Sequence, residues 1–362
     1  MAIKVLCISE GTDRPTTAMF AGTHGPDIDV TVACPKSSKT YAALSEKGVP
    51  LINMQIRRRF DIRGIRSLRK ELLRGNYDII HLFNNKALQN GLIATWGIPI
   101  RIVTYRGIVG NVSYLSPISW MRFLNPRIDR IICVADAVRD HFLQMRPKFL
   151  RMPVERPVTI YKGHSLNWYK DPPSDLREFG IPLGAFVVCC VANIRPRKGI
   201  ELLMDAIAKL PKEWQVHLLL VGHMNTSSLS KKISTSTAKE RIHRVGYRND
   251  APALAGACHI FVLPSTKREG LARALIEAMA YGVPPIVTNC GGNPELVVHG
   301  ITGLVIPVQD VGAISQAIRQ LYENPDMRKK LGKAARERIQ KHFNIENTIK
   351  QTTDLYKTLA PR

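Results

Sequence analysis

Two patterns alternate along the chain. Short, nearly unbroken apolar runs occur at 3–8, 29–33, 78–82, 101–104 and 130–133, and again at 185–191, 214–221, 259–263 and 285–287. Runs of that length, bounded by polar residues, Gly or Pro, read as strands covered on both faces. Between them lie segments rich in strong helix formers, among them 68–73, 86–94, 201–210 and 271–280. Alternation of this kind predicts parallel sheets with crossover helices, and two successive arrays predict two doubly wound α/β domains. A length of 362 residues suits two domains. The stretch 158–184 is rich in Gly, Pro and polar residues and separates the arrays near residue 163. The expected organisation is therefore one domain at 1–162, a second at 163–345 and a C-terminal helix at 346–362, the stretch 326–358 being helical and basic.

Composition narrows the class. An apolar content of 45% is ample for two cores. No apolar run reaches the roughly 18 residues of a membrane span. The N-terminus reads as a first strand and not as a signal peptide. The seven cysteines are scattered, with no C-x-x-C pair and no His cluster that would point to zinc. Together these favour a reducing, cytoplasmic setting.

Charge adds a partner question, because 52 basic residues stand against 29 acidic ones, a net charge of +23. The densest run lies between Arg57 and Arg74, where Asp61 and Glu71 are the acids. Such a field attracts nucleic acid, an anionic membrane or a phosphorylated substrate. The chain has no recognisable nucleic-acid module, and its aromatics are not interleaved with the basic run, so no nucleic acid is expected. The segment 113–130, SYLSPISWMRFLNPRIDR, is apolar and aromatic, then basic. With the Arg57 patch it fits peripheral association with the anionic inner face of the cell membrane, at about 1 kcal/mol per cation. The competing reading makes Trp120, Phe123 and Leu124 core residues and the basic run a solvated helix face.

The candidate chemistry lies in the second array. Glu269 stands in the loop after the strand 259–263, and Glu277 lies on the helix closed by Gly282. A helix start at the carboxyl end of a strand suits a phosphorylated ligand, with Gly270, Leu271 and Ala272 presenting main-chain N–H groups. Carboxylates accept hydrogen bonds from sugar hydroxyls. Arg195 and Lys198 follow the strand 185–191 and face the same edge, where they suit phosphate. Taken singly, each has a plainer explanation, as a helix-dipole partner, a solvated helix residue or a solvated turn.

Four motifs occur in one order across about 155–345: IRPRKGIELLMDAI, LLLVGHM, the Glu269/Glu277 pair and GGNPELVVHGITGLVIP. This half resembles the donor-binding domain of retaining glycosyltransferases of family 4, whose fold is called GT-B. DIIHLFNNKAL and RIVTYRG in the first half resemble it more loosely. The resemblance implies two Rossmann-like domains facing across a cleft, the C-terminal helix packing back on the first. It implies a retaining, metal-independent transfer of a sugar from a UDP- or GDP-linked donor, with no cofactor. The implied acceptor is a hydroxyl of an anionic glycan or lipid-linked acceptor in lipopolysaccharide, exopolysaccharide or other surface-glycan synthesis. By the same resemblance Glu269 holds hydroxyls of the transferred sugar, Glu277 holds the ribose, and Arg195 and Lys198 face the diphosphate. The base is expected near Gly246, Tyr247 and Arg248.

The chain departs from the family pattern in two places. Asn193 stands where an Arg is usual, leaving Arg195 or Arg197 to reach phosphate, with Arg195 preferred. Arg106 stands where a His is usual, and is expected either at the cleft, meeting the leaving diphosphate or an acidic acceptor, or in a structural salt bridge. His81 is expected to end its strand near a sugar, or else to be a satisfied polar residue. Gly11 is expected to let backbone approach a ligand. Arg273 is expected to reach phosphate or to be an exposed helix residue. Two other functions compete. A nucleotide-sugar 2-epimerase of the same architecture would need acid/base residues that are not apparent, and a nucleic-acid-binding protein would leave the Glu pair unexplained.

Overall fold

Apolar hexapeptides with no polar face have to be covered on both sides, and here they form parallel strands. The computed structural model describes residues 2–147 and 149–360. It divides into two units, one running to Gly163 and resuming at Phe343, the other spanning His164–His342. Residues 343–345, expected to close the second domain, thus belong with the first unit and its C-terminal helix.

Unit 1 holds a sheet of β1 (Ile3–Ile8), β2 (Ile28–Cys34), β3 (Leu51–Asn53), β4 (Ile79–Leu82), β5 (Arg101–Arg106), β6 (Arg130–Cys133) and β7 (Pro157–Thr159). Its order is β3-β2-β1-β4-β5-β6-β7, and every pairing is parallel. The crossovers include α1 (Arg14–Thr23), α2 (Lys39–Ser45), α3 (Ile62–Gly75), α4 (Asn85–Ala94), α5 (Pro117–Trp120) and α6 (Asp136–Leu143). Asp13 caps α1 by accepting from the N–H of Thr16 and pairs with Lys162 at 2.7 Å. Burial pushes the Asp13 carboxyl up, but the Lys162 charge and these hydrogen bonds outweigh it and hold it below its ordinary value.

Unit 2 repeats the plan with β8 (Phe186–Val191), β9 (Val216–Val221), β10 (Ile242–Gly246), β11 (Ile260–Leu263), β12 (Pro285–Thr288) and β13 (Leu304–Ile306). These run in the order β10-β9-β8-β11-β12-β13, all parallel. Its helices are α7 (Ile200–Ala208), α8 (Ser227–Thr235), α9 (Ala251–Gly256), α10 (Arg273–Ala280), α11 (Asn293–Leu296), α12 (Val311–Glu323) and α13 (Pro325–His342). One apolar cluster joins Val188 and Cys190 of β8 to Leu218 and Leu220 of β9 and to Ile314 and Ile318 of α12.

The basic C-terminal stretch breaks at Phe343, and α14 (Ile345–Leu359) starts again with Asn344 as its cap. This last helix packs on α1 of unit 1. Gly22 of α1 makes the contact close, since a Cβ there would collide with Ile349. Lys357 adds an exposed ion pair to Asp27 at 2.6 Å.

The same helix claims His81. That side chain is 1% exposed, its Nδ1 lies 2.6 Å from the Tyr356 hydroxyl, and its ring stacks on Phe83. The expectation of a sugar-contacting His81 is therefore corrected: the residue lies inside its strand and ties the sheet to α14. Its Nε2 has no hydrogen-bond partner, so it is not fully satisfied either. Burial pushes its pKa down to about 3. A depressed histidine stays neutral when folded but takes a proton when unfolded, so its stabilising contribution is complete above about pH 6.5 and is lost as pH falls toward 3. We predict that urea unfolding of the wild type weakens with acidification below pH 6.5. His81→Leu should flatten that slope by about 1.4 kcal/mol per pH unit between pH 5.5 and 4. Equal slopes in the two proteins would contradict a neutral, buried His81.

Candidate active site

In unit 2 the strand order turns back between β8 and β11. Open α/β sheets leave a crevice for ligands at the carboxyl ends of the strands flanking such a point. Lys198 follows β8 and Glu269 follows β11. The Lys198 Nζ lies 2.8 and 3.0 Å from the two carboxylate oxygens of Glu269. Their side chains are only 16% and 7% exposed, so the pair is poorly screened by water. An ammonium has three N–H donors. Glu269 takes two, and among the described residues no further acceptor is hydrogen-bonded to the Lys198 ammonium.

Close backbone approaches make this pair possible. Lys198 ends the turn Pro196–Lys198, which Gly199 closes at φ +65°. A Cβ on Gly199 would collide with the carbonyl oxygen of Pro264, just beyond β11. On the other side, Gly291 sits at φ +54°, and a Cβ there would collide with the carbonyl oxygen of Glu269 itself. Two further bonds stitch the loops together: Thr266 N–H donates to Arg197 O at 2.8 Å, and the Arg197 guanidinium donates to Arg268 O at 2.9 Å. Arg197 is thereby engaged in holding the loop. Arg195 is exposed and makes no ion pair among the described residues.

The other expected residues fall into place less uniformly. Helix α10 begins at Arg273, so Leu271 and Ala272 precede it and Ala272 is its N-cap. Ala272 has no side chain to cap with, which leaves the first-turn N–H groups without a side-chain acceptor. Arg273 leans along α10 onto Glu277 at 3.4 Å, its side chain 60% exposed. Gly270 is buried in the loop between Glu269 and the helix. Arg248 is held by Asp250 through two 2.8 Å bonds. Tyr247 is exposed and stacks on His223, with ring centroids 4.9 Å apart and planes 9° apart.

Sequence reasoning missed His223. The available signal was Gly222, which sits at φ +133° where a Cβ would collide with Ala192 O. Asn193, which replaces the usual Arg, accepts from the His223 N–H at 3.2 Å and so ties the loops after β8 and β9.

In unit 1, Gly11 lies in an exposed loop at φ +141° with open space around it. Arg106 requires a correction. It is 7% exposed, donates to the carbonyls of Ile108 and Gly110, and lies over the Phe123 ring at 4.8 Å. Among the described residues it pairs with no carboxylate, so the expected salt bridge is not found there, and its guanidinium shapes the loop after β5. Burial lowers its pKa to about 10. Among the described residues no three His, Cys, Asp or Glu side chains are grouped so as to hold a metal ion.

A doubly wound sheet with a cation–carboxylate pair at its switch point has the layout of a protein for phosphorylated ligands. The family model described as Glycosyl transferases group 1 matches residues 173–338, and that described as Glycosyltransferase Family 4 matches 21–167. The chain belongs to the group 1 glycosyltransferases, and its fold is GT-B. It is 24% identical over 375 residues to the UDP-Gal:alpha-D-GlcNAc-diphosphoundecaprenol alpha-1,3-galactosyltransferase of Escherichia coli, covering 98% of this chain and 95% of that one. It is 29% identical over 181 residues to the N-acetyl-alpha-D-glucosaminyl L-malate synthase of Bacillus anthracis, a match spanning 50% of this chain and about half, 47%, of that relative. The crystal structure of Anabaena HepE in complex with UDP-glucose superposes with a TM-score of 0.80 at 22% identity, covering 98% of this chain and 100% of that one.

The glycine contacts generate a prediction. Gly291→Ala should lower unfolding stability by about 2–4 kcal/mol, combining left-handed strain with overpacking against Glu269 O. Gly300→Ala, at φ +73° but in open space, should cost only about 1 kcal/mol. Denaturant titration of both variants checks this; equal losses would contradict the close approach.

Proposed function

We propose that the Lys198–Glu269 site takes a nucleotide diphosphate sugar, and that the protein moves the sugar to an acceptor hydroxyl with retention of anomeric configuration. The observation that carries this reading is the buried ammonium–carboxylate pair at the β8/β11 switch point, because it offers one cation for phosphate and one carboxylate for hydroxyls in a single crevice. Family membership and the shared fold of the UDP-glucose complex support it.

In this reading Lys198 gives its remaining N–H to the diphosphate, Arg195 swings onto it from the surface, and the open first turn of α10 adds main-chain N–H groups. Glu269 accepts from hydroxyls of the transferred sugar, Glu277 from the ribose, and the Tyr247–His223 stack lies beside the base. The bond between the anomeric carbon and the diphosphate oxygen breaks, the acceptor oxygen bonds to the same face, and the acceptor proton passes to the leaving diphosphate. Charge growing on that diphosphate is met by Lys198, Arg195 and the helix N–H groups, which makes the transfer independent of a divalent ion. The acceptor belongs to cell-surface glycan synthesis, and the name of the E. coli relative supports a lipid diphosphate carrier.

Substitutions separate the roles. Arg195→Ala should leave unfolding stability within about 0.5 kcal/mol, since the side chain is exposed and unpaired. Its turnover should still drop, by about 10- to 100-fold. Lys198→Ala should lower turnover by about 10²–10³-fold. It should also cost roughly 2–5 kcal/mol of stability, because Glu269 stays buried without its cation. The assay is release of free nucleotide diphosphate from UDP- and GDP-sugars in the presence of a chelator. Wild-type release by folded Arg195→Ala and Lys198→Ala proteins would overturn the assignment, and loss of wild-type release on chelation would overturn metal independence.

A further inference from the structure

The strand order of unit 1 also turns back, between β1 and β4. A crevice at the carboxyl ends of those two strands is the counterpart of the one at β8 and β11. An oppositely charged pair stands there as well. Glu10 follows β1, Lys86 lies in the first turn of α4 after β4, and the Lys86 Nζ is 2.8 Å from Glu10 Oε2. We propose, resting on the glycosyl-transfer reading above, that this pair holds the acceptor by neighbouring hydroxyls of an uncharged sugar.

Both loops are fixed from behind. Thr12, two residues on from Glu10, donates its N–H to Thr40 Oγ1 at 2.9 Å, and Asp13 is held by Lys162. Lys86 is pinned at both of its backbone groups. Its N–H goes to Asn84 Oδ1 at 2.9 Å, and its carbonyl accepts from Asn90 Nδ2 at 2.8 Å. The side chains of Glu10 and Lys86 stay partly exposed. Open space surrounds the next residue, Gly11, so nothing crowds the approach beside Glu10.

The two oxygens of Glu10 are unequally satisfied. Oε2 meets the Lys86 ammonium, but Oε1 is turned in, shielded from solvent and without a hydrogen-bond partner. A carboxylate oxygen left so is costly, and an O–H donor relieves it. A turn about the last torsion of the side chain, which is soft, brings that oxygen toward the open side. The Lys86 ammonium keeps two N–H groups, for among the described residues it has no acceptor besides Glu10. A hydroxyl is donor and acceptor at once, so one hydroxyl gives its proton to Glu10 while its neighbour accepts from Lys86. A phosphate brings only acceptors and negative charge, and the free Glu10 oxygen repels it. Helix-end donors do not offset that repulsion, because Asn84 takes the first-turn N–H groups of Lys86 and Ala87. In unit 2 the N-cap of α10 is an alanine, which takes none. The two crevices thus select differently, hydroxyls in unit 1 and a diphosphate sugar in unit 2. Any phosphate on the acceptor lies outside the Glu10–Lys86 crevice.

The test is saturation-transfer NMR of the full chain with the methyl glycosides of glucose, galactose, mannose and N-acetylglucosamine. At least one glycoside should receive saturation from the wild type, and inorganic phosphate should not displace it. Glu10→Ala and Lys86→Ala should each weaken that binding by about tenfold or more, since each removes a hydrogen bond to a charged group. Both should melt close to the wild type, because a partly exposed ion pair contributes little to stability. Should either fold poorly, Glu10→Gln and Lys86→Met, which keep the length of the side chain, are read in its place. The donor reading is checked separately, by the thermal shift of the wild type with UDP and GDP, so its failure leaves glycoside binding intact. Three outcomes would overturn the proposal: no saturation of any glycoside by the wild type, displacement of the glycoside by phosphate, or binding that is lost in Glu269→Ala but kept in Glu10→Ala.

Discussion

The Lys198–Glu269 ion pair is the interaction on which the rest of the site depends. Its partners are 71 residues apart in sequence and stand on loops that follow different strands. A buried carboxylate without a cation is costly, and so is a buried ammonium without an anion, so each offsets the cost of burying the other. The pair forms because two glycines let three loops lie closer than any side chain would allow. Gly199 brings the lysine turn against the end of β11, and Gly291 brings the loop after β12 against the backbone of Glu269 itself. The backbone is the scaffold here, and the charged side chains are its product.

Unit 1 depends on a different closure. Its sheet carries buried polar groups that a purely apolar helix would leave unsatisfied, and α14 supplies them. Tyr356 meets His81, and Thr348 bridges the chain near Gly163 by donating to Tyr161 O at 2.7 Å and accepting from the Gly163 N–H at 2.8 Å. The last helix of the chain is therefore a structural part of the first unit. His81 and Arg106 are both consumed by such internal work, one on α14 and one on the loop carbonyls after β5.

What was legible in the sequence follows from the same physics. Interior strands such as β8, β9 and β11 are buried on both faces, so their apolar runs are continuous and their positions could be read directly. The edge strands β3, β7, β10 and β13 are short or carry polar residues such as His243 and Arg244, and periodicity did not mark them. Lys198 and Glu269 were legible as site residues because their motifs occur in order. Their mutual ion pair was not, since nothing in linear order shows which loops glycine brings into contact. His81 and Arg106 misled for a related reason: a polar residue at or near a strand end reads as ligand-facing, but burial and local partners decide where it is spent. His223 escaped because its role comes from stacking on Tyr247 after a different strand, and only the glycine before it hinted at a close turn.

The most direct measurement is a crystal structure of the protein with a nucleotide diphosphate bound. The account predicts the diphosphate at the β8/β11 switch point of unit 2, with an oxygen within hydrogen-bonding distance of the Lys198 Nζ and Glu269 still turned toward the same crevice. A diphosphate bound elsewhere, with Lys198 held only by Glu269 as it is now, would contradict it.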